Sequence, residues 1–183
     1  MKSLFSNISF IGGIHGVGKS TICKKICADL NIQYLSASEV LKWEELNEDH
    51  KNKKVENISL TQNRLIDNLI KLVNPNKYYL LDGHYCLLDK ENNVKEISFE
   101  TFKLINPISL HIITGDVSEI KSRLEDRDTR LYEYSLLENM QKIELKYAHT
   151  LAGKLNVTLS IGTAQNITMV LNSLRSVIVD KSL

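Results

Sequence analysis

Between Gly13 and Thr21 the chain reads Gly-Ile-His-Gly-Val-Gly-Lys-Ser-Thr, three glycines that free the backbone, then an ammonium and two hydroxyls. The spacing is that of a G-x-x-x-x-G-K-[ST] phosphate loop, and each residue type has a task in it. Glycine at 13, 16 and 18 lets successive backbone N–H groups turn inward onto phosphate oxygens, where a Cβ would stand in the way. Lys19 supplies a charge for the β- and γ-phosphates, and the Ser20 hydroxyl completes a Mg²⁺ shell. A helix beginning at the lysine turns its positive end on the same anion. Gly13, His15, Gly16, Val17, Gly18, Lys19, Ser20 and Thr21 are therefore the candidate residues for a nucleoside triphosphate. His15 holds one of the variable positions and is read chiefly as a residue that shapes the loop.

A second group of residues complements the first. The apolar run Tyr78 to Asp82 ends in a carboxylate, and beside a phosphate loop such a group holds Mg²⁺, directly or through water. The competing role for Asp82 is a turn former or helix cap before Gly83. His84, two residues on, suits the orientation of a water, contact with a substrate, or packing. Arg123 and Arg127 are four apart and share a helical face, with Arg130 close behind. Planar, permanently charged guanidiniums suit the negative charge that spreads during phosphoryl transfer. The acids among them, Glu125, Asp126 and Asp128, also allow a plain ion-paired surface. Lys42, Trp43 and Arg64 lie between the loop and Asp82, where a second substrate would enter.

These groups need elements to hold them. Ile8 to Ile11 predicts a buried strand, and Ile22, Ile26 and Leu30 mark one face of the helix after the loop. Further strands are predicted over 32–35, 78–82, 109–114 and 156–161. Helices are predicted over 37–46, 116–125, 133–152 and 165–179. Another runs from Ile58 to Val73, stopped by Pro75. The charged stretch 47–54 has no periodicity and reads as an exposed connection. Strands alternating with helices at these spacings imply an α/β fold of three layers, a five-stranded parallel sheet covered by helices on both faces. Asp82 and the loop then share the carboxyl edge of that sheet.

At 183 residues the chain has room for one domain, taken as 1–183. Its 23 basic and 22 acidic residues leave no bulk signature of a nucleic-acid binder. Apolar stretches are strand-sized and no signal-type block opens the chain, so a soluble, cytoplasmic protein without a membrane partner is expected. Of three cysteines, Cys23 and Cys27 sit on one helical face as small core residues, and Cys86 is alone, which argues against a metal cluster.

Four stretches carry a resemblance. Gly16 to Thr21 resembles the phosphate loop of the adenylate kinase group of nucleoside monophosphate kinases. Ser36 to Lys42 is similar to their Ser-Thr-Gly-Asp-Met-Leu-Arg segment on the monophosphate. Asp82-Gly83-His84 is similar to the Asp-x-His motif of archaeal-type adenylate kinases and of the related ribosome-associated adenylate kinase-like ATPases. Leu104 to Pro107, the strand after it and Arg123 to Arg130 resemble their Leu-Asn-Pro, strand and arginine-bearing short lid. The resemblance implies a P-loop NTPase fold, a monophosphate-side insertion over 36–74 and a lid over 123–136. It further implies substrate contacts from Ser36, Glu39, Lys42, Arg64 and His84. Lys42 and Cys86 depart from arginines of related motifs, and Arg64 is the substitute offered by a similar archaeal helix.

The expected reaction is transfer of the γ-phosphoryl group of Mg·ATP to a nucleoside monophosphate, itself an anion that needs no general base. Lys19 and the loop amides hold the donor, Ser20 and Asp82 hold Mg²⁺, and Arg123, Arg127 and Arg130 close over the moving group. Two alternatives are a kinase of a hydroxyl acceptor, with a base near His84, and a nucleotide-switched ATPase that gates a partner. A small-molecule nucleotide is the expected partner, and a nucleic acid or protein partner stays open.

Overall fold

The computed structural model describes residues 4–41 and 58–179. Lys42, Trp43 and the charged stretch 47–54 lie outside the described residues. Five parallel strands form the main sheet: β1 (Ile8–Gly12), β2 (Gln33–Ser36), β3 (Tyr79–Asp82), β6 (Ser109–Thr114) and β7 (Leu159–Thr163). Their spatial order is β2-β3-β1-β6-β7, so β1 stands between β3 and β6. Register aligns Ile11 with both Asp82 and His111, which brings the ends of these strands to one edge.

The three central strands, β1, β3 and β6, alternate their side chains between two buried clusters. Ile8, Phe10, Leu81, Leu110 and Ile112 belong to one, while Ile11, Leu80 and Ile113 belong to the other. Both faces are therefore apolar, as a parallel sheet under helices requires. The first cluster is closed by α2 (Ala37–Val40), α3 (Ile58–Leu72) and α4 (Phe99–Ile105). The second is closed by α1 (Lys19–Leu30), α5 (Val117–Asp128) and α7 (Thr168–Val179). The long helix α6 (Tyr134–Leu155) serves both, placing Leu137 and Met140 in one cluster and Tyr147, Ala148 and Leu151 in the other. The expected three-layer α/β architecture is the observed one.

Local signals explain the element ends. The Asp116 side chain accepts the Glu119 N–H at 3.0 Å and caps α5. Helices α1, α4 and α6 stop at Asn31, Asn106 and Asn156, all left-handed, a conformation asparagine tolerates. The strand expected over 156–161 begins only at Leu159, because Asn156 ends α6 and Val157 N–H bonds back to Ala152. The segment expected as a lid is the end of α5, a connection over 129–133 and the start of α6. An antiparallel hairpin of β4 (Cys86–Leu88) and β5 (Val94–Glu96), unforeseen in the sequence, precedes α4. No helix among the described residues is long and apolar enough to cross a membrane.

Candidate active site

The phosphate loop leaves β1 at Gly12 and enters α1 at Lys19, and three glycines on the way take positive φ, at 143° for Gly13, 80° for Gly16 and 96° for Gly18. At Gly13 the reason is contact as well as angle: a Cβ there would lie 2.4 Å from the backbone oxygen of Ile113. The Val17 side chain is fully buried in the core and anchors the loop from below. Lys19 Nζ donates to Gly13 O at 2.6 Å, which ties the ammonium across the turn it is meant to serve.

Asp82 ends β3 beside the loop, as its register with Ile11 requires. Ser20 Oγ donates to Asp82 Oδ2 at 3.2 Å, so the two residues expected to hold Mg²⁺ are in contact across 62 positions of sequence. Their oxygen chemistry fits that ion, which uses one or two protein oxygens and takes the rest from phosphate and water. Tyr34 OH, from β2, donates to the same Oδ2 at 3.1 Å and orients the carboxylate. Burial, followed by the Asp82 charge, pushes the Tyr34 hydroxyl well above its ordinary value, so it stays a donor. Sequence reasoning missed Tyr34.

A cavity of about 500 Å³ opens along this edge, lined at one end by His15, Gly16, Gly18, Lys19, Ser20, Thr21 and Asp82, with Arg123 and Arg127. Arg123 is held by Glu119, whose backbone oxygen accepts from its Nε at 3.1 Å. Arg127 makes two bonds to Asp128, at 2.6 and 2.8 Å, which hold that carboxyl well below the usual carboxylate range. Arg130 does not line the cavity; its Nε donates to Tyr132 OH at 2.8 Å and its guanidinium stacks on that ring.

The other end of the cavity is lined by Phe10, Ser36, Ser38, Leu41, Leu65, Leu87, Ile97, Phe102 and Ile105. Gln62 and Thr101 are buried in its wall, where Thr101 Oγ1 donates to Gln62 Oε1 at 2.6 Å. Gln62 Nε2 has no hydrogen-bond partner among the described residues. Glu39 is exposed and Arg64 half-buried, and neither lines the cavity.

His84 lines the same cavity, its ring 4.1 Å from that of His15. Behind it is Glu144 of α6, fully buried, with Oε1 3.5 Å from His84 Nδ1. The same oxygen accepts from the backbone N–H groups of Tyr85 at 3.1 Å and Cys86 at 3.3 Å. Burial raises the Glu144 carboxyl from 4.5 to about 7, against the pull of Lys19 and of the Cys86, Tyr85 and Gly13 amides. Glu144 was not foreseen either. Its signal was its place on the apolar stripe Leu137, Met140, Tyr147, Ala148 and Leu151, where a carboxylate is out of character.

A profile of the AAA domain family matches residues 12–141. The chain belongs to the AAA domain family. In this AAA domain the matched residues include the phosphate loop, Asp82, His84 and the three arginines, and stop short of Glu144. The fold is that of a P-loop kinase-type domain. Its structure aligns with a gluconokinase from Sinorhizobium meliloti 1021 over 98% of this chain and 94% of that one, with a TM-score of 0.50 and 12% identity. At that identity the likeness concerns the fold alone. An alignment 112 residues long, covering 52% of this chain and 17% of the other protein, is 31% identical to Sorting nexin-4 from Komagataella pastoris.

Proposed function

We propose that this AAA domain is a phosphotransferase that moves the γ-phosphoryl group of ATP to a nucleoside monophosphate. One observation supports that acceptor: the far end of the cavity has apolar and aromatic walls and one buried amide whose N–H₂ group lacks a partner. A purine or pyrimidine ring satisfies such a chamber, its faces against Phe10, Leu65 and Phe102 and a ring nitrogen or carbonyl on Gln62 Nε2. Ser36 and Ser38 also line the cavity and suit a sugar.

On this reading the loop amides and Lys19 hold the donor phosphates, and Ser20 and Asp82 hold Mg²⁺, which when bound neutralises charge on the β- and γ-oxygens. Arg123 and Arg127 face the moving group. The acceptor phosphate is already anionic, so the chain supplies position and charge rather than a base. The segments 36–74 and 123–136 then act as acceptor-side insertion and lid.

A second reading, a hydroxyl acceptor, is favoured by the carboxylate behind His84, an arrangement suited to a general base. One assay separates the two: Mg·ATP is incubated with each common ribo- and deoxyribonucleoside monophosphate, and with hydroxyl acceptors, and the products are resolved. Diphosphate product is expected from a monophosphate. Gln62→Leu should raise the KM of that acceptor about 10- to 100-fold with the KM of ATP unchanged. Absence of diphosphate from every monophosphate would overturn the first reading. A phosphorylated hydroxyl, formed at a rate that rises with pH and is lost in His84→Ala, would establish the second.

A further inference from the structure

Helix α6 does more at this edge than pack. Gln141 and Glu144 lie on adjacent turns of it and tie down the segments that follow β6 and β3, the two strands flanking β1. Gln141 Oε1 accepts from Gly115 N–H and its Nε2 donates to Gly115 O, both at 3.0 Å. That pairing is neutral and complete. Glu144 is different, because a neutral residue would satisfy the Tyr85 and Cys86 amides equally well. A fully buried carboxylate instead carries a desolvation cost that packing does not require.

What the negative charge faces gives the reason. From α1 it faces Lys19; from the loop, the Gly13 amide; from the segment after β3, His84, the Tyr85 amide and the Cys86 amide and thiol. Glu144 Oε2 has no hydrogen-bond partner among the described residues, so the carboxylate keeps acceptor capacity. His84 Nδ1 is buried against Oε1, while the same residue lines the cavity and packs on His15. The ring thus has a buried edge and a cavity edge, and the group at the buried edge decides which nitrogen carries the proton.

We infer that Glu144 is a positioning residue that holds His84 with Nδ1–H toward its carboxylate and Nε2, as a lone pair, toward the transferring group. The role rests on phosphoryl transfer taking place in this cavity, whichever acceptor is used. His84 then accepts a hydrogen bond from an O–H at the junction of donor and acceptor, that of a water beside an anionic acceptor or of an acceptor hydroxyl.

The test uses the full chain with Glu144→Leu and Glu144→Gln. Long-range ¹H–¹⁵N spectra of the histidine rings read the His84 tautomer, assigned by its loss in His84→Ala. In the wild-type protein at pH 8 the proton is expected on Nδ1. Glu144→Leu should move it to Nε2 and lower kcat about 10- to 100-fold, with the KM of ATP within about twofold. Glu144→Gln keeps an acceptor oxygen and should restore much of both. If Glu144→Leu does not fold, Glu144→Met, which also lacks an acceptor oxygen, takes its place with the same expected changes in tautomer and kcat. A wild-type His84 spectrum in Glu144→Leu or Glu144→Met, or a fall in kcat matched by lost ATP affinity, overturns the inference. If the wild-type chain makes no phosphorylated product, the phosphotransferase reading fails, while the spectra still decide whether Glu144 positions His84.

Discussion

Replacing Gly13 and Gly18 separately by alanine should divide the phosphate loop into a part that supports the fold and a part that binds. At Gly13 an added methyl meets the backbone oxygen of Ile113 at 2.4 Å, and φ is 143°. The backbone of a central strand has little room to yield. Strain of about 1–3 kcal/mol from the angle adds to about 1–3 kcal/mol of overpacking. The sum, about 4 kcal/mol, lowers the melting temperature of a domain this size by about 10 °C. At Gly18 φ is 96° but the nearest obstacle is Arg123 Nη1 at 3.8 Å, so only the angular strain applies. That amounts to about 1–2 kcal/mol, or about 4 °C. The Gly18 methyl nevertheless enters the cavity lining beside Arg123, where phosphate should lie, and should weaken ATP binding about 10- to 100-fold. Thermal denaturation without ligand and titration with Mg·ATP measure the two effects. Equal melting losses for the two variants, or wild-type ATP affinity in Gly18→Ala, would refute the reasoning.

Lys19→Ala removes the ammonium tied to Gly13 O and should lower turnover about 10²- to 10³-fold with little change in fold; near-normal activity would exclude Lys19 from the reaction. Tyr34→Phe removes one of the two donors on Asp82 Oδ2, at a stability cost of about 1 kcal/mol. It should raise the Mg²⁺ concentration for half-maximal activity, and an unchanged Mg²⁺ dependence would make Tyr34 a packing residue. Glu144→Gln tests a linkage. The buried carboxyl ionises at about 7, against 4.5 for an unperturbed one. The contribution of this carboxyl to stability is therefore full below pH 4.5 and falls as the pH rises to about 7. The loss reaches about 3 kcal/mol above that. The variant should accordingly melt above the wild-type protein at pH 8 and with it near pH 4, and a difference independent of pH would show that Glu144 does not titrate in the fold.

Much of this molecule is legible in its order of residues, for a physical reason that differs from element to element. The phosphate loop is readable because its geometry is local: glycines, lysine and serine within a few positions must meet the same anion. Asp82 is readable because a charge closing an apolar strand must leave the core there. The sheet is readable because both its faces are buried, which leaves an apolar run from Tyr79 to Leu81 and another, interrupted by His111, from Leu110 to Ile113. The β4–β5 hairpin is not readable, since strands this short carry no period, and its turn is made by Asp89 accepting from Glu91 and Asn93. The start of β7 escapes because Val157 is a strand-like residue whose N–H bonds back to Ala152 at the end of α6.

The sequence by itself determined the nucleotide loop, its acidic partner and the parallel α/β frame, since each is set by neighbouring residues or by a period. Only the tertiary structure decided what surrounds them: Tyr34 on Asp82, Thr101 on Gln62 across 39 positions, and Glu144 on Tyr85 across 59. Those contacts join residues on separate elements, and their pairing follows from sheet order and from the path of α6 across the strand ends. A buried polar group finds its partner through packing, and no spacing along the chain encodes that.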